Sequence, residues 1–224
     1  MRRNSGFSLL EIMLALAMSS FMMAGVYSTY LVQHKTWIAQ DGAIEAQQNL
    51  RASSFYVETD LLMAGYDPTR KAGAGFIEAK PDRVRFTIDF NGNGIIDDDA
   101  DNHETIGYCL RDFDGRTGLA KIVKGANGAD EYQQVAENIE VLDFAFIDKS
   151  DQAIPFDNGS ISTEDLSKIR SVQIAIVSRA ARGEAGFQNN EIFKNLSGTV
   201  ISASADNVRR RAVNAQIWCR NMGI

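Results

Sequence analysis

The sequence predicts an α+β protein, with one long N-terminal helix laid across an antiparallel β-sheet. Two observations carry this. Apolar residues keep helical spacing without punctuation from Phe7 to Ala64, where Gly65 and Pro68 supply two stop signals. After Ala79 the apolar period changes to two, in short runs separated by turns rich in glycine and asparagine.

The chain has 224 residues, of which 45% are apolar and 23% charged, enough for one domain plus an appendage and incompatible with wholesale disorder. A net charge of −6 supplies no extended basic field, so nucleic acid is not expected as a partner. Two cysteines exclude a disulfide-rich scaffold and a cysteine-built zinc site but allow one bridge.

The first element is an apolar helix. Arg2 and Arg3 precede it, and from Ile12 to Val32 there is no charged residue. As a helix this run spans about 31 Å, one bilayer hydrocarbon core. The arginines hold the N-terminus in the cytoplasm, so everything after Lys35 faces the periplasm or outside. A cleaved signal peptide fits poorly: the run is too long, and no small-x-small site follows it. Glu11 stands at the edge of this run, where a carboxylate gives a plain anchor nothing and costs up to about 2.5–3.5 kcal/mol at mid-helix. It makes sense if it later meets a positive partner inside an assembly.

Gly6-Phe7-Ser8-Leu9-Leu10-Glu11, after a short basic leader and before an uncharged helix, resembles the processing site of type IV prepilins and pseudopilins. The resemblance implies cleavage after Gly6 by prepilin peptidase, N-methylation of Phe7, and pairing of Glu11 with the Phe7 amine of a neighbouring subunit. Such docking removes the penalties of an unpaired carboxylate and an unpaired ammonium in apolar surroundings. Major pilins commonly carry a helix-kinking proline in this segment. Here there is none, and Gly25 and Gly42 are the only soft points, which favours a minor subunit.

Past the membrane run, Trp37, Ile44, Leu50, Phe55, Leu61 and Leu62 recur as one stripe, with Lys35, Asp41, Glu45, Arg51 and Glu58 between them. The expected organisation is a leader at 1–6, a membrane and filament-core helix at 7–34, its amphipathic continuation at 35–66, and a β-rich periplasmic head at 67–224. Strands are expected where Val84, Phe86, Ile88 and Phe90 alternate with polar residues, where Ile106, Tyr108 and Leu110 do, and over 135–147, 169–177 and 211–220. Leu50-Arg51-Ala52, Leu61-Leu62-Met63-Ala64-Gly65-Tyr66, Arg170-Ser171-Val172-Gln173-Ile174 and Arg220-Asn221 resemble PilW-type minor pilins. The J-class pseudopilin of type II secretion is similar in layout.

Between the first two β runs, the segment from Asp89 to Asp97 reads as the first nine positions of an EF-hand-type calcium loop. Asp89, Asn91, Asn93 and Asp97 supply side-chain oxygens at positions one, three, five and nine, Ile95 would offer its carbonyl, and Gly94 permits the turn at six. Position twelve is Ala100, so Asp99, Asp101 or Glu104 would have to close the site around calcium. The plain alternative is an Asn-Gly turn with a solvated acidic run after it. Cys109 and Cys219 fall on two expected strands in an oxidising compartment, where a bridge is expected. Arg209-Arg210-Arg211 reads as a strand start that pairs with acidic neighbours.

His34 and His103 lack any nucleophile context, so no enzyme is expected. The only enzymatic alternative is a membrane-anchored periplasmic hydrolase using carboxylates such as Asp97 and Asp101. The resemblance instead implies a minor pilin that primes filament assembly with other minor pilins and the major pilin. Its expected partners are prepilin peptidase, the inner-membrane assembly platform and, before assembly, the lipid bilayer. Its place would be the inner membrane, single-pass with a periplasmic head, and then the pilus at the cell surface.

Overall fold

The computed structural model describes residues 6–98, 102–125 and 127–223. Two compact units are distinguished, residues 1–41 and 42–224. Helix α1 covers Leu9–Met63, within two residues of each expected end.

In the first unit every residue from Gly6 to Ile38 is exposed. Four serine and threonine hydroxyls of this stretch bond back to their own helix. Ser19 donates to the Ala15 carbonyl at 2.8 Å, Ser20 to Leu16 at 2.8 Å, Thr29 to Gly25 at 2.9 Å and Thr36 to Val32 at 3.0 Å. Polar groups satisfied inside their own helix are compatible with apolar surroundings. The helix is long and apolar enough to cross a membrane.

In the second unit α1 buries Ala46, Leu50, Ser53, Val57 and Leu61, and Ala64 just after it, at successive intervals of three and four. This corrects the expected stripe. Leu50 and Leu61 are buried, whereas Ile44, Phe55 and Leu62 are 55%, 66% and 42% exposed, as is Trp37 of the first unit at 63%. The buried face is the one with small residues, which lets the sheets come close. The helix ends at Gly65, whose φ of +76° suits the turn and whose missing side chain leaves room for Met222 Sδ, 2.6 Å from where a Cβ would lie. Asn221 Nδ2 donates to the Leu62 carbonyl at 3.2 Å and satisfies one of the last helical acceptors.

Among the described residues ten strands follow, all paired antiparallel. Strands β1 (Phe76–Lys80), β2 (Arg83–Thr87), β3 (Thr105–Phe113), β4 (Arg116–Lys124) and β5 (Asp130–Glu137) form a five-stranded meander. Strands β6 (Ile139–Ile147), β7 (Ser171–Arg179) and β10 (Arg210–Trp218) form a second sheet in the order β10-β7-β6, and β8 (Ile192–Lys194) pairs with β9 (Val200–Ala203). A one-turn helix, α2 (Thr163–Leu166), precedes β7. The single strand expected over 135–147 is two strands in different sheets. The break is Asn138, at φ +56°, whose side chain donates to Glu45 Oε1 on α1 at 2.8 Å and whose carbonyl accepts from the Arg179 amide at 2.9 Å. Strand β2 stops at Thr87, so Phe90, expected on the buried face, is 67% exposed.

One apolar core joins α1 to both large sheets. Phe76 and Phe86 of the first sheet meet Phe146 and Phe144 of the second, with the Phe76–Phe86 and Phe76–Phe146 ring centroids each 6.0 Å apart in edge-to-face geometry. The helix is also tied by polar contacts. The fully buried Tyr108 hydroxyl donates to Asp60 Oδ2 at 2.5 Å, and Lys121 Nζ reaches the same oxygen at 2.6 Å. Burial, and then the Asp60 carboxylate beside it, push the Tyr108 phenol well above its ordinary range. Tyr108→Phe is expected to cost about 1 kcal/mol. Asp60→Ala also strands Lys121, which is only about a fifth exposed, and is expected to cost about 2–3 kcal/mol. Urea unfolding of the 42–224 unit measures both, and equal losses would show that Lys121 carries no part of the tie.

Candidate functional site

The N-terminal segment forms a capping box. Gly6 and Phe7 precede the helix, and Phe7 is 85% exposed. Ser8 caps α1: its Oγ accepts from the Glu11 amide at 3.3 Å, while Glu11 Oε2 accepts from the Ser8 amide at 2.9 Å. This reciprocal pair is the Ser-x-x-Glu arrangement that satisfies two otherwise orphaned donors at a helix start. The signal was legible in Ser8-Leu9-Leu10-Glu11, and the sequence reading missed it. Glu11 therefore has a local role, placing its carboxylate beside the chain end that cleavage after Gly6 would create. Arg2 and Arg3 lie outside the described residues.

The acidic loop joins β2 to β3. Its two ends are buried carboxylates, Asp89 and Glu104, each 0% exposed. Asp89 accepts from the Asn93 and Gly94 amides at 3.1 and 3.0 Å. Glu104 Oε1 accepts from the Phe90 and Asn91 amides at 2.9 and 3.2 Å, and Oε2 from the Asp97 amide at 2.9 Å. Gly94 has φ +83°, as position six of such a loop requires. Asn91 and Asn93 turn their oxygens onto the Asn93 and Ile95 amides, each at 2.8 Å, and their amide nitrogens onto the Asp97 carboxylate at 3.2 and 2.9 Å. Asp98 accepts from the Glu104 and Thr105 amides, both at 2.8 Å, and closes the loop against β3.

The structure thus brings Asp89, Asn91, Asn93, Asp97 and Glu104 into one network. Ile95 is exposed, and Asp99 and Asp101 lie outside the described residues. Among the described residues no three His, Cys, Asp or Glu side chains converge as a metal centre. Asp98 as the loop's closing acceptor was not foreseen.

Two family models match. One, the Type IV Pilus-assembly protein W family, covers residues 111–221, and the other, the prokaryotic N-terminal methylation motif, covers residues 1–27. The chain is a type IV minor pilin of the PilW type. Among solved structures, a type IV-like pilin from Thermus thermophilus is similar, at 13% identity and a TM-score of 0.49, over 79% of this chain and 98% of that one. No curated protein matches. The PilW match runs from the last residues of β3 to just past β10, and the methylation motif spans the capping box and the apolar start of α1.

In this PilW-type chain the expected disulfide is absent. Cys109 and Cys219 are both free and buried. Side chains alternate along a strand, so with Tyr108 facing the main core, Cys109 faces the opposite side, packed with Ala120 and Ile122. Cys219, just past β10, sits in the main core, where burial pushes its thiol up to about 12. The arginine run resolves residue by residue. Arg210 is 4% exposed and paired with Asp206 and Glu140, Arg209 pairs with Glu184 over the Phe187 ring, and Arg211 is exposed. His103 Nδ1 lies 3.1 Å from the Lys124 carbonyl oxygen and ties the loop to β4.

Proposed function

We infer that this PilW-type minor pilin is cut after Gly6 by prepilin peptidase, methylated at Phe7, and helps to initiate filament assembly with other minor pilins and the major pilin. The observation that carries the reading is the order Gly6-Phe7-Ser8-Leu9-Leu10-Glu11 at the head of a helix that has no charge from Ile12 to Val32 and stays exposed as far as Ile38. The chain waits in the inner membrane with its β-rich unit in the periplasm, then leaves with Glu11 paired to the Phe7 amine of a neighbour. That ion pair relieves two groups that are costly in apolar surroundings. Deleting the gene and scoring surface pili and secreted proteins side by side tests it. Lost pili with intact secretion is the expected result; lost secretion with normal pili would make the chain a J-class pseudopilin instead. Edman sequencing of the mature chain is expected to begin at N-methyl-Phe7.

In the same reading the loop from Asp89 to Glu104 takes a structural calcium ion. The support is the oxygen at positions one, three, five and nine, with glycine at six. Calorimetric titration is expected to show one calcium site that Asp97→Asn weakens at least tenfold. No heat at millimolar calcium would refute it.

A further inference from the structure

We propose that Tyr27, Tyr30, His34 and Trp37 form a one-sided aromatic ladder that seats α1 in the outer phospholipid headgroup layer and fixes its depth in the bilayer. The inference rests on the reading of α1 as a membrane span, and adds to it where along the helix the bilayer ends. The four positions are spaced three, four and three apart, so at 100° per residue they share one narrow helix face. Their rings are ordered along it. Tyr30 and His34 stack with centroids 5.8 Å apart and planes 5° apart, and His34 and Trp37 with centroids 6.5 Å apart and planes 20° apart. Tyr27, Tyr30 and Trp37 are 62%, 57% and 63% exposed. Among the described residues, none of the four side chains makes a hydrogen bond within the chain, so three N–H or O–H edges and an imidazole look outward.

The occupant follows from position and chemistry. From the helix start at Leu9 to Tyr27 the rise is about 27 Å, close to one hydrocarbon thickness. The ladder therefore starts where the apolar core should end and runs on for about 15 Å. Tyrosine and tryptophan favour that layer because the ring body is apolar and the polar tip can hydrogen-bond to glycerol and phosphate. Lys35, the first charged residue after Glu11, lies within the same stretch on another face, where an ammonium can reach phosphate. Ser19 and Ser20 below the ladder, and Thr29 beside it, bond back to their own helix, whereas the ladder's polar tips do not.

The test uses the full chain in phosphatidylcholine–phosphatidylglycerol vesicles. Trp37 and Trp218 are the only tryptophans, so Trp218→Phe leaves Trp37 as sole reporter. Trp37 is expected to be quenched more by headgroup-labelled lipid than by lipid labelled near the chain ends, and to be shielded from iodide. Stronger quenching by chain-end label, or full iodide access, overturns the proposal; full access in vesicles with protection only in assembled filaments would assign the ladder to a neighbouring subunit. Depth-setting is read separately. With Trp37→Phe and Trp218→Phe, a tryptophan placed by Phe21→Trp reports helix depth with the other three ladder positions intact or changed to alanine. A shift or spread of about 5 Å, one helical turn, is expected. An unchanged depth overturns the proposal while leaving the membrane reading intact, and failure of the chain to enter vesicles at all overturns both.

Discussion

Phe146→Ala is expected to destabilise the β-rich unit by about 3–5 kcal/mol, a large part of the ~5–15 kcal/mol that holds an ordinary domain. Phe146 is fully buried on β6, and its ring meets Phe76 of β1, Phe144 of its own strand and Phe156 of the following loop at 6.0, 6.3 and 6.1 Å between centroids. Those neighbours come from both large sheets, so truncation opens a cavity that neither sheet can close without moving against the other. The control is Phe55→Ala. Periodicity in the sequence counts Phe55 as part of the packed helix face, but its ring is 66% exposed, and its loss is expected to change stability by less than about 0.5 kcal/mol. Urea unfolding of the 42–224 unit, with fragment and wild type sharing one m-value, measures both. Similar losses at the two positions would contradict the packing described here.

The contrast between those two phenylalanines marks what the sequence could convey. The helix was readable to within two residues at each end because its signals are local: a run without charge, then Gly65 and Pro68. Which face of it is buried was not readable, because spacing alone weighs Ala46 below Ile44, while the approaching sheets favour the smaller side chain. Strand β4 escaped notice because Leu119 faces the main core while Ala120 and Ile122 pack on the other side, which erases the alternation a half-buried strand would show. The strand break at Asn138 depends on partners at Glu45 and Ser178, far away along the chain. The cysteines could have been separated by parity only once Tyr108 was known to face inward. In the candidate site the capping box and the loop's glycine were legible. The carboxylates that anchor the loop were harder, since Glu104 reaches back across more than a dozen residues to the Phe90 and Asn91 amides.

Arg210→Met is expected to cost about 3 kcal/mol at neutral pH, and to change how stability depends on acid. Three arginines stand in a row, yet only the middle one is enclosed. Its Nη1 and Nη2 hold both oxygens of Asp206 at 2.7 and 2.8 Å, and its Nε holds Glu140 Oε2 on β6 at 2.8 Å. Methionine fills similar space but leaves two carboxylates facing each other across it. Hydrogen bonding to Arg210, helped by the Val208 amide, holds the Asp206 carboxyl at about 2, below its usual 3.8. A carboxylate depressed on folding contributes stability that is complete above the unfolded value and fades as pH falls towards the folded one. The wild-type unit should therefore lose this contribution between about pH 4 and pH 2. In Arg210→Met acid instead neutralises the facing carboxylates and relieves their repulsion. The stability gap between the two proteins is thus expected to be widest near pH 6 and to shrink steadily below pH 4. Glu140 is 24% exposed and Asp206 38%, so salt should narrow the gap only in part. A gap independent of pH would mean that Arg210 acts through packing of its side chain alone, and that the two carboxylates are indifferent to its charge.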